Sequence, residues 1–302
     1  MLTVVLVGIM LILYSFQTLF MRLYSDKYPG EASVSTYVYT AIYGVSISLI
    51  SFAIGGFRFS PSPVTVMYGV LNALALTVYN YALIKATTTG SYAVANLSML
   101  SGGILVSLFQ FVVFYDGFLT LLQYAGIAVM LLSFLFINAD GLKAGKAQSS
   151  KKKAKKRSLF PLYCAMVFLA NGLYGAFIYA QQTAMQNTQR SEMVIITYML
   201  SAIVGFIVVL SKKRGQTLSS FRQTRISSIY LAICCLSAAA ALNLYVYVMT
   251  LVKNIAVLNT IDNGGILAIS AIYAYFIFRE KMTPSKLTGI VLAIGSIVML
   301  SI

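Results

Sequence analysis

Apolar residues run along this chain in blocks of about twenty, each closed by a short polar interval. A helix needs about 20 apolar residues to cross the hydrocarbon core of a bilayer. Runs of that kind fall at 2–23, 34–55, 64–85, 91–114, 118–138, 159–184, 191–211, 226–250, 255–278 and 284–302. The intervals read as turns: YSDKYPGEAS, GGFRFSPSP, KATTTGS, YDG, QNTQRSE, VKN and REKMTPSK. Lipid offers no partners to loose backbone, so each run is expected to be helical. The pattern predicts an all-α polytopic membrane protein with ten transmembrane helices. Short hinges near 86–91 and 251–255 should hold the third and fourth helices, and the eighth and ninth, as antiparallel neighbours.

One long polar interval, 139–158, contains GKAQSSKKKAKKRS and divides the runs into two blocks of five. The expected organisation is a first five-helix repeat over 1–138, a basic linker over 139–158 and a second five-helix repeat over 159–302. Setting Asn96 on Asn259 lays NYALIKATTTGSYAVAN (80–96) over NLYVYVMTLVKNIAVLN (243–259). After a one-residue shift, GGILVSLFQFVVFYD (102–116) lies over GGILAISAIYAYFIFRE (264–280), and GIAVMLLSF (126–134) over GIVLAIGSI (289–297). Apolar helices resemble one another by chance. The weight comes from the shared GGIL, the acid after the fourth helix of each block (Asp116, Glu280) and the glycine that follows (Gly126, Gly289). Five is odd, so the two blocks must insert in opposite orientations, which makes them inverted repeats of the kind that build secondary transporters.

Composition narrows the class. Of 302 residues, 59% are hydrophobic and 10% charged, where a soluble domain carries about 25% charged. The opening MLTVVLVGIMLILYSF lacks a basic n-region and a small-residue cleavage site, so it reads as a retained first span. There is no histidine, which removes the commonest general base and metal ligand. Cys164, Cys234 and Cys235 all fall in apolar runs and read as small buried hydrophobes. No metal, cofactor or ATP site is expected, since the GxxxxGK[ST] phosphate loop is absent as well.

A formal charge of +15 would suggest nucleic acid in a soluble protein. Here the basic residues collect between apolar runs, and no nucleic-acid partner is expected. All but three of the 22 Lys and Arg lie in or beside the intervals after odd-numbered runs. The positive-inside rule then places the linker in the cytoplasm and both termini outside, in a multi-pass protein of the cell (plasma or inner) membrane. The KKKAKKR stretch reads as a solvated topogenic linker or as a contact for anionic headgroups.

Ten spans in two five-helix halves, ending FREKMTPSKLTGIVLAIGSIVML, resemble the drug/metabolite transporter superfamily, in particular its EamA-like ten-helix branch. The resemblance covers the whole chain. It implies an acid after the fourth helix and a glycine-bearing fifth helix, matched here by Glu280 and Gly289. It also implies a central cavity enclosed by the first, third, fourth, sixth, eighth and ninth helices, and cytoplasmic termini, the reverse of the charge bias. The family often carries a proline in the fourth helix of each half. Here Pro29, Pro61, Pro63, Pro161 and Pro284 lie in loops or at helix starts, so any break there falls to Gly102–Gly103 and Gly264–Gly265.

Intramembrane polar residues carry the candidate chemistry. Within NTIDNGGILAISAIYAYFIF, Asp262 is the one acid well inside a run. A charge near the bilayer centre costs roughly 3 kcal/mol on insertion scales, so such a residue marks a recognition or coupling site. The alternative is a structural knot, bonded to Asn243 or to backbone freed at Gly264–Gly265. Asn259, Asn263, Ser270 and Tyr273 share its helix face, and the matching stripe of the fourth helix (Asn96, Gly103, Ser107, Gln110) has no acid. Other stripes are Tyr14, Gln17 and Thr18 on the first helix, and Asn72, Tyr79 and Asn80 on the third. The sixth offers Asn171, Tyr174 and Gln181, and the eighth Asn243, Tyr247 and Thr250. Each could equally be interhelical glue worth about 0.6 kcal/mol. Gly8, Gly69, Gly172, Gly175, Gly205 and Gly295 read as close-packing positions, and Lys85 and Lys253 as snorkelling side chains.

A lone acid, 21 tyrosines and no midplane cation favour a neutral or cationic solute, because tyrosine rings attract ammonium groups. A desolvated carboxyl also takes up a proton readily, which makes a proton the candidate coupling ion. The expected function is secondary transport of a small metabolite or drug by alternating access, not catalysis. The alternatives are a channel or lipid-handling protein, or a membrane-embedded transferase. The last would need clustered acids, whereas Asp26, Glu31, Asp116, Asp140, Glu192, Asp262 and Glu280 are scattered singly.

Overall fold

Helix starts are written into the polar intervals. Ser62 accepts a hydrogen bond from the Thr65 N–H, and Pro63 takes the first helical position, where a missing N–H costs nothing. Ser91 caps the next helix in the same way, through the Val94 N–H. The computed structural model describes residues 2–102, 120–122, 124–129, 132–133, 136, 159–186, 188–212, 220–251, 255–280 and 282–301. Within these, the side chains of 2–4, 32–33, 93, 243, 245–247, 249–251, 255–264, 268, 297 and 300–301 are outside the description.

The long helices are α1 Leu2–Lys27, α2 Ala32–Ile54, α3 Pro63–Thr89, α4 Tyr92–Ser101 and α5 Phe160–Ala184. They continue with α6 Arg190–Lys212, α7 Arg225–Leu251, α8 Ile255–Phe276 and α9 Pro284–Ser301. Six of them, α1, α2, α3, α5, α6 and α7, are long and apolar enough to cross a membrane. Large aliphatic side chains such as Leu49, Leu74, Ile207, Leu236 and Val291 stand exposed on the outside, as suits a lipid-facing surface. The fifth run is described only in part, as helix at 124–129, and the 139–158 linker lies outside the described residues.

The most extensive pairings are α2 with α6, α1 with α7, and α3 with α5. Small residues set the first. A Cβ on Gly44 would collide with the Tyr198 carbonyl, and one on Gly205 would stand 2.8 Å from the Tyr37 carbonyl. Residue 44 thus faces 198–202 while 205 faces 37–41, so α2 and α6 cross antiparallel. Gly69 packs on Ile196, and Gly102 on the Phe168 carbonyl and Gly172 nitrogen. Gly8 and Gly295 correct the expectation of close packing, because a Cβ on either meets nothing within 4 Å.

Exchanging α1–α4 in order for α5–α8 leaves most pairings in place. The α2–α6 pair maps on itself, α1–α7 on α5–α3, and α4–α5 on α8–α1. The largest departure is α3 with α6, closely packed, against α7 with α2, sparsely packed; among the described residues the contacts of α3 with α1, α2 and α4 also lack matching ones around α7. The ninth run also departs from expectation, since α8 continues unbroken through Gly264–Gly265. A Cβ on Gly265 would lie 2.8 Å from Leu11 Cδ1, so that glycine lets α8 approach α1 and does not break the helix. Gly102 follows α4 with helical φ and ψ of −58° and −25°, and Gly103 lies outside the described residues.

Candidate functional site

A hydroxyl in a bilayer-spanning bundle needs a partner, and a tyrosine brings an apolar ring with a polar tip. The centre of the bundle is built from such side chains. Tyr39 and Tyr43, one turn apart on α2, stack with ring centres 5.1 Å apart. Tyr43 then meets Tyr198 of α6 at 5.8 Å, and the Tyr198 and Tyr174 hydroxyls share a hydrogen bond of 3.1 Å. Gln17 of α1 donates to the Tyr43 hydroxyl at 2.9 Å. Cys234 of α7 contacts the Tyr39 hydroxyl at 3.3 Å and donates to the Gln17 carbonyl at 3.3 Å. On the α3–α4 side, Tyr79 donates to Met99 Sδ at 2.9 Å, and Asn171 donates to the Met99 carbonyl at 2.7 Å. Tyr14, Gln17, Tyr79, Asn171 and Tyr174 are only half-buried although helices surround them.

Charged groups meet at one end of this network. The Glu280 carboxylate, just beyond α8, accepts from Ser91 Oγ at 2.5 Å and from the Tyr92 N–H at 2.6 Å. It therefore caps the positive end of α4. Arg22 of α1 stands 3.6 Å from the same carboxylate and Lys286 of α9 stands 4.0 Å away. The Arg22 guanidinium also lies over the Phe278 ring at 3.9 Å and pairs with Asp26 at 3.8 Å. Just inside this cluster, Thr18 bonds Tyr92 at 2.9 Å and Ser15 bonds Tyr273 at 3.2 Å. Two hydrogen-bond donors and two cations thus converge on one carboxylate, from elements that the sequence assigns to both halves.

No family model matches the chain, and no curated protein matches it. Solved structures do match, 21 chains in all. One, described only as "Crystal structure of protein", aligns over 99% of this chain and 96% of its own, with a TM-score of 0.60 at 13% identity. The likeness is one of fold alone. Its coverage makes the arrangement above a whole-chain architecture.

Several residues singled out from the sequence meet in the interior: Tyr14, Gln17, Tyr79, Asn171 and Tyr174. Asn96 and Asn80 are buried, with Asn96 Oδ1 and Asn80 Nδ2 free of hydrogen-bond partners among the described residues. Asn96 Nδ2 donates back to the Tyr92 carbonyl. Asn72 donates to Thr197 and Gln181 to Thr65, which are interhelical bonds away from the tyrosines. Asp262, Asn259 and Asn263 fall in α8, and Asn243 and Tyr247 in α7, but their side chains lie outside the described residues. Ser270, two turns beyond Asp262, is buried, and its hydroxyl has no hydrogen-bond partner among the described residues. The contributions of α2 and α6 were not anticipated. The TYVYTAIYG stretch, with tyrosines at 37, 39 and 43, was the available signal. Among the described residues no group of His, Cys, Asp and Glu could hold a metal, and all three cysteines are free and buried.

Proposed function

We propose that the chain is a secondary transporter of a small neutral or cationic metabolite or drug, working by alternating access and related to the EamA-like transporters. The observation that carries this reading is the Glu280 cluster, which joins elements of the two halves at one end of a tyrosine network running through the bundle. Rocking one half against the other would part Glu280 from Ser91 and Arg22 and open that end. The exchange of helix pairings supports inverted repeats, and ten spans complete the two five-helix units. The charge bias puts the Glu280 end on the cytoplasmic side, so in this reading the described conformation is closed to the cytoplasm. Aromatic faces, amide groups and the acid of α8 would together receive a cation or a neutral polar solute. Asp262 is the coupling residue in this reading.

The test begins with thermal unfolding of the purified protein against amines, amino acids and neutral metabolites, because a ligand that binds only the folded state raises Tm. Uptake or exchange of the stabilising solutes by proteoliposomes follows. Solutes that bind and are never moved would refute a transport role.

A further inference from the structure

A cleft of about 570 Å³ opens between α2 and α7. Ile42, Ser46 and Leu49 line one wall, Leu231 and Leu236 the other, and Gln223 its end. Leu49 and Leu236 are 59% and 64% exposed, so the cleft faces outward to the bilayer. It lies at the largest departure from the exchange of the two halves. The corresponding seam between α3 and α6 is shut by Ile196 against Gly69, by Asn72 on Thr197, and by a Thr77–Ser201 bond. The gap is thus particular to α2 and α7.

Depth and charge identify an occupant. From Ser228 to Leu236 α7 rises about 12 Å, and Gln223 extends the cleft beyond the helix start. The α2 wall, Ile42 to Ile50, lies about 15–27 Å along its helix from Ala32, and one leaflet contributes about 15 Å of hydrocarbon, so the cleft runs from headgroup level past the midplane. Arg222 and Arg225, both exposed, flank Gln223 at the outer end. Residues 212–225 carry Lys212, Lys213, Arg214, Arg222 and Arg225 and no acid. An apolar slot that starts beneath two arginines and reaches past the midplane matches a lipid that has both an acyl chain and a negative headgroup.

We propose that the α2–α7 cleft holds one acyl chain of an anionic phospholipid, with its phosphate on Arg222 and Arg225. The site does not depend on the transport reading. Native mass spectrometry of the full chain, offered equal phosphatidylglycerol and phosphatidylcholine, tests it. The expected result is one retained phosphatidylglycerol, favoured about 30-fold if each arginine contributes as a surface-near cation does. Arg222→Gln with Arg225→Gln should bring phosphatidylglycerol down to the phosphatidylcholine level. Ser46→Phe should fill the slot and abolish retention of both lipids. Equal retention of the two lipids by the unaltered chain would overturn the proposal. So would selective retention that survives Ser46→Phe, since that marks an ordinary surface contact. If Ser46→Phe does not fold, the arginine pair on the exposed face still decides: selectivity unchanged in that variant refutes the site.

Discussion

Replacing Glu280 by glutamine keeps the side chain's size and removes its charge. The carboxylate takes hydrogen bonds from Ser91 Oγ and the Tyr92 N–H, and faces Arg22 at 3.6 Å. Hydrogen bonds to a charged group are worth about 1.5–3 kcal/mol, against about 1 kcal/mol between neutral groups. Two such bonds, each weakened by about 1 kcal/mol, cost the closed end about 2 kcal/mol. The Lys286 contact at 4.0 Å is at the limit of an ion pair and adds little. Arg22 keeps Asp26 at 3.8 Å, which limits further loss. A change of about 2 kcal/mol moves the closed-to-open ratio about 30-fold. Ser270 makes a suitable reporter near this cluster, because it is buried and its hydroxyl makes no hydrogen bond among the described residues that a thiol would lose. With the three native cysteines replaced, Ser270→Cys should react with a water-soluble maleimide about 30-fold faster in the Glu280→Gln background. Thermal melting separates opening from unfolding. A folded Glu280→Gln protein whose reporter reacts at the parental rate would refute the latch.

Gly44→Ala should lower stability by about 1–3 kcal/mol, because its Cβ meets the Tyr198 backbone, which has no rotamer to yield. Gly8→Ala and Gly295→Ala, with open space around them, should be neutral or stabilising by up to about 1 kcal/mol. Equal melting temperatures for all three would contradict the α2–α6 crossing. Asn72→Ala should cost about 0.6 kcal/mol, the mean for one interhelical bond in a bilayer, and a loss above about 2 kcal/mol would give Asn72 a larger role. Asp262→Asn should abolish uptake by proteoliposomes while melting as the parent does. Parental transport rates in that variant would remove its coupling role.

Helix positions were legible because run length is dictated by bilayer thickness. The expected spans 159–184, 191–211 and 226–250 correspond to Phe160–Ala184, Arg190–Lys212 and Arg225–Leu251. The polar stripes of the first, third and sixth helices were legible too, since amides and phenols stand out in apolar runs. Tyr39, Tyr43 and Tyr198 were not, because a tyrosine in an apolar run has the same pattern whether it packs or lines a space. The closed end was illegible for a different reason. Arg22 and Glu280 sit at opposite ends of the chain, and each reads alone as a charge at a helix boundary. Only the folded approach of α1, α4 and α9 brings them together. The outward cleft was equally hidden, because it depends on how far α2 and α7 stand apart and not on their patterns.

Counterflow tests the central claim most directly. Proteoliposomes loaded with an unlabelled solute that raises the protein's Tm are diluted into a trace of the same solute carrying a label. A carrier that exposes its site to one side at a time must exchange label for unlabelled solute. The expected result is transient accumulation of label above its outside concentration, lost in Asp262→Asn. Entry that rises only to equilibrium, without an overshoot, would indicate a continuous pore and contradict alternating access.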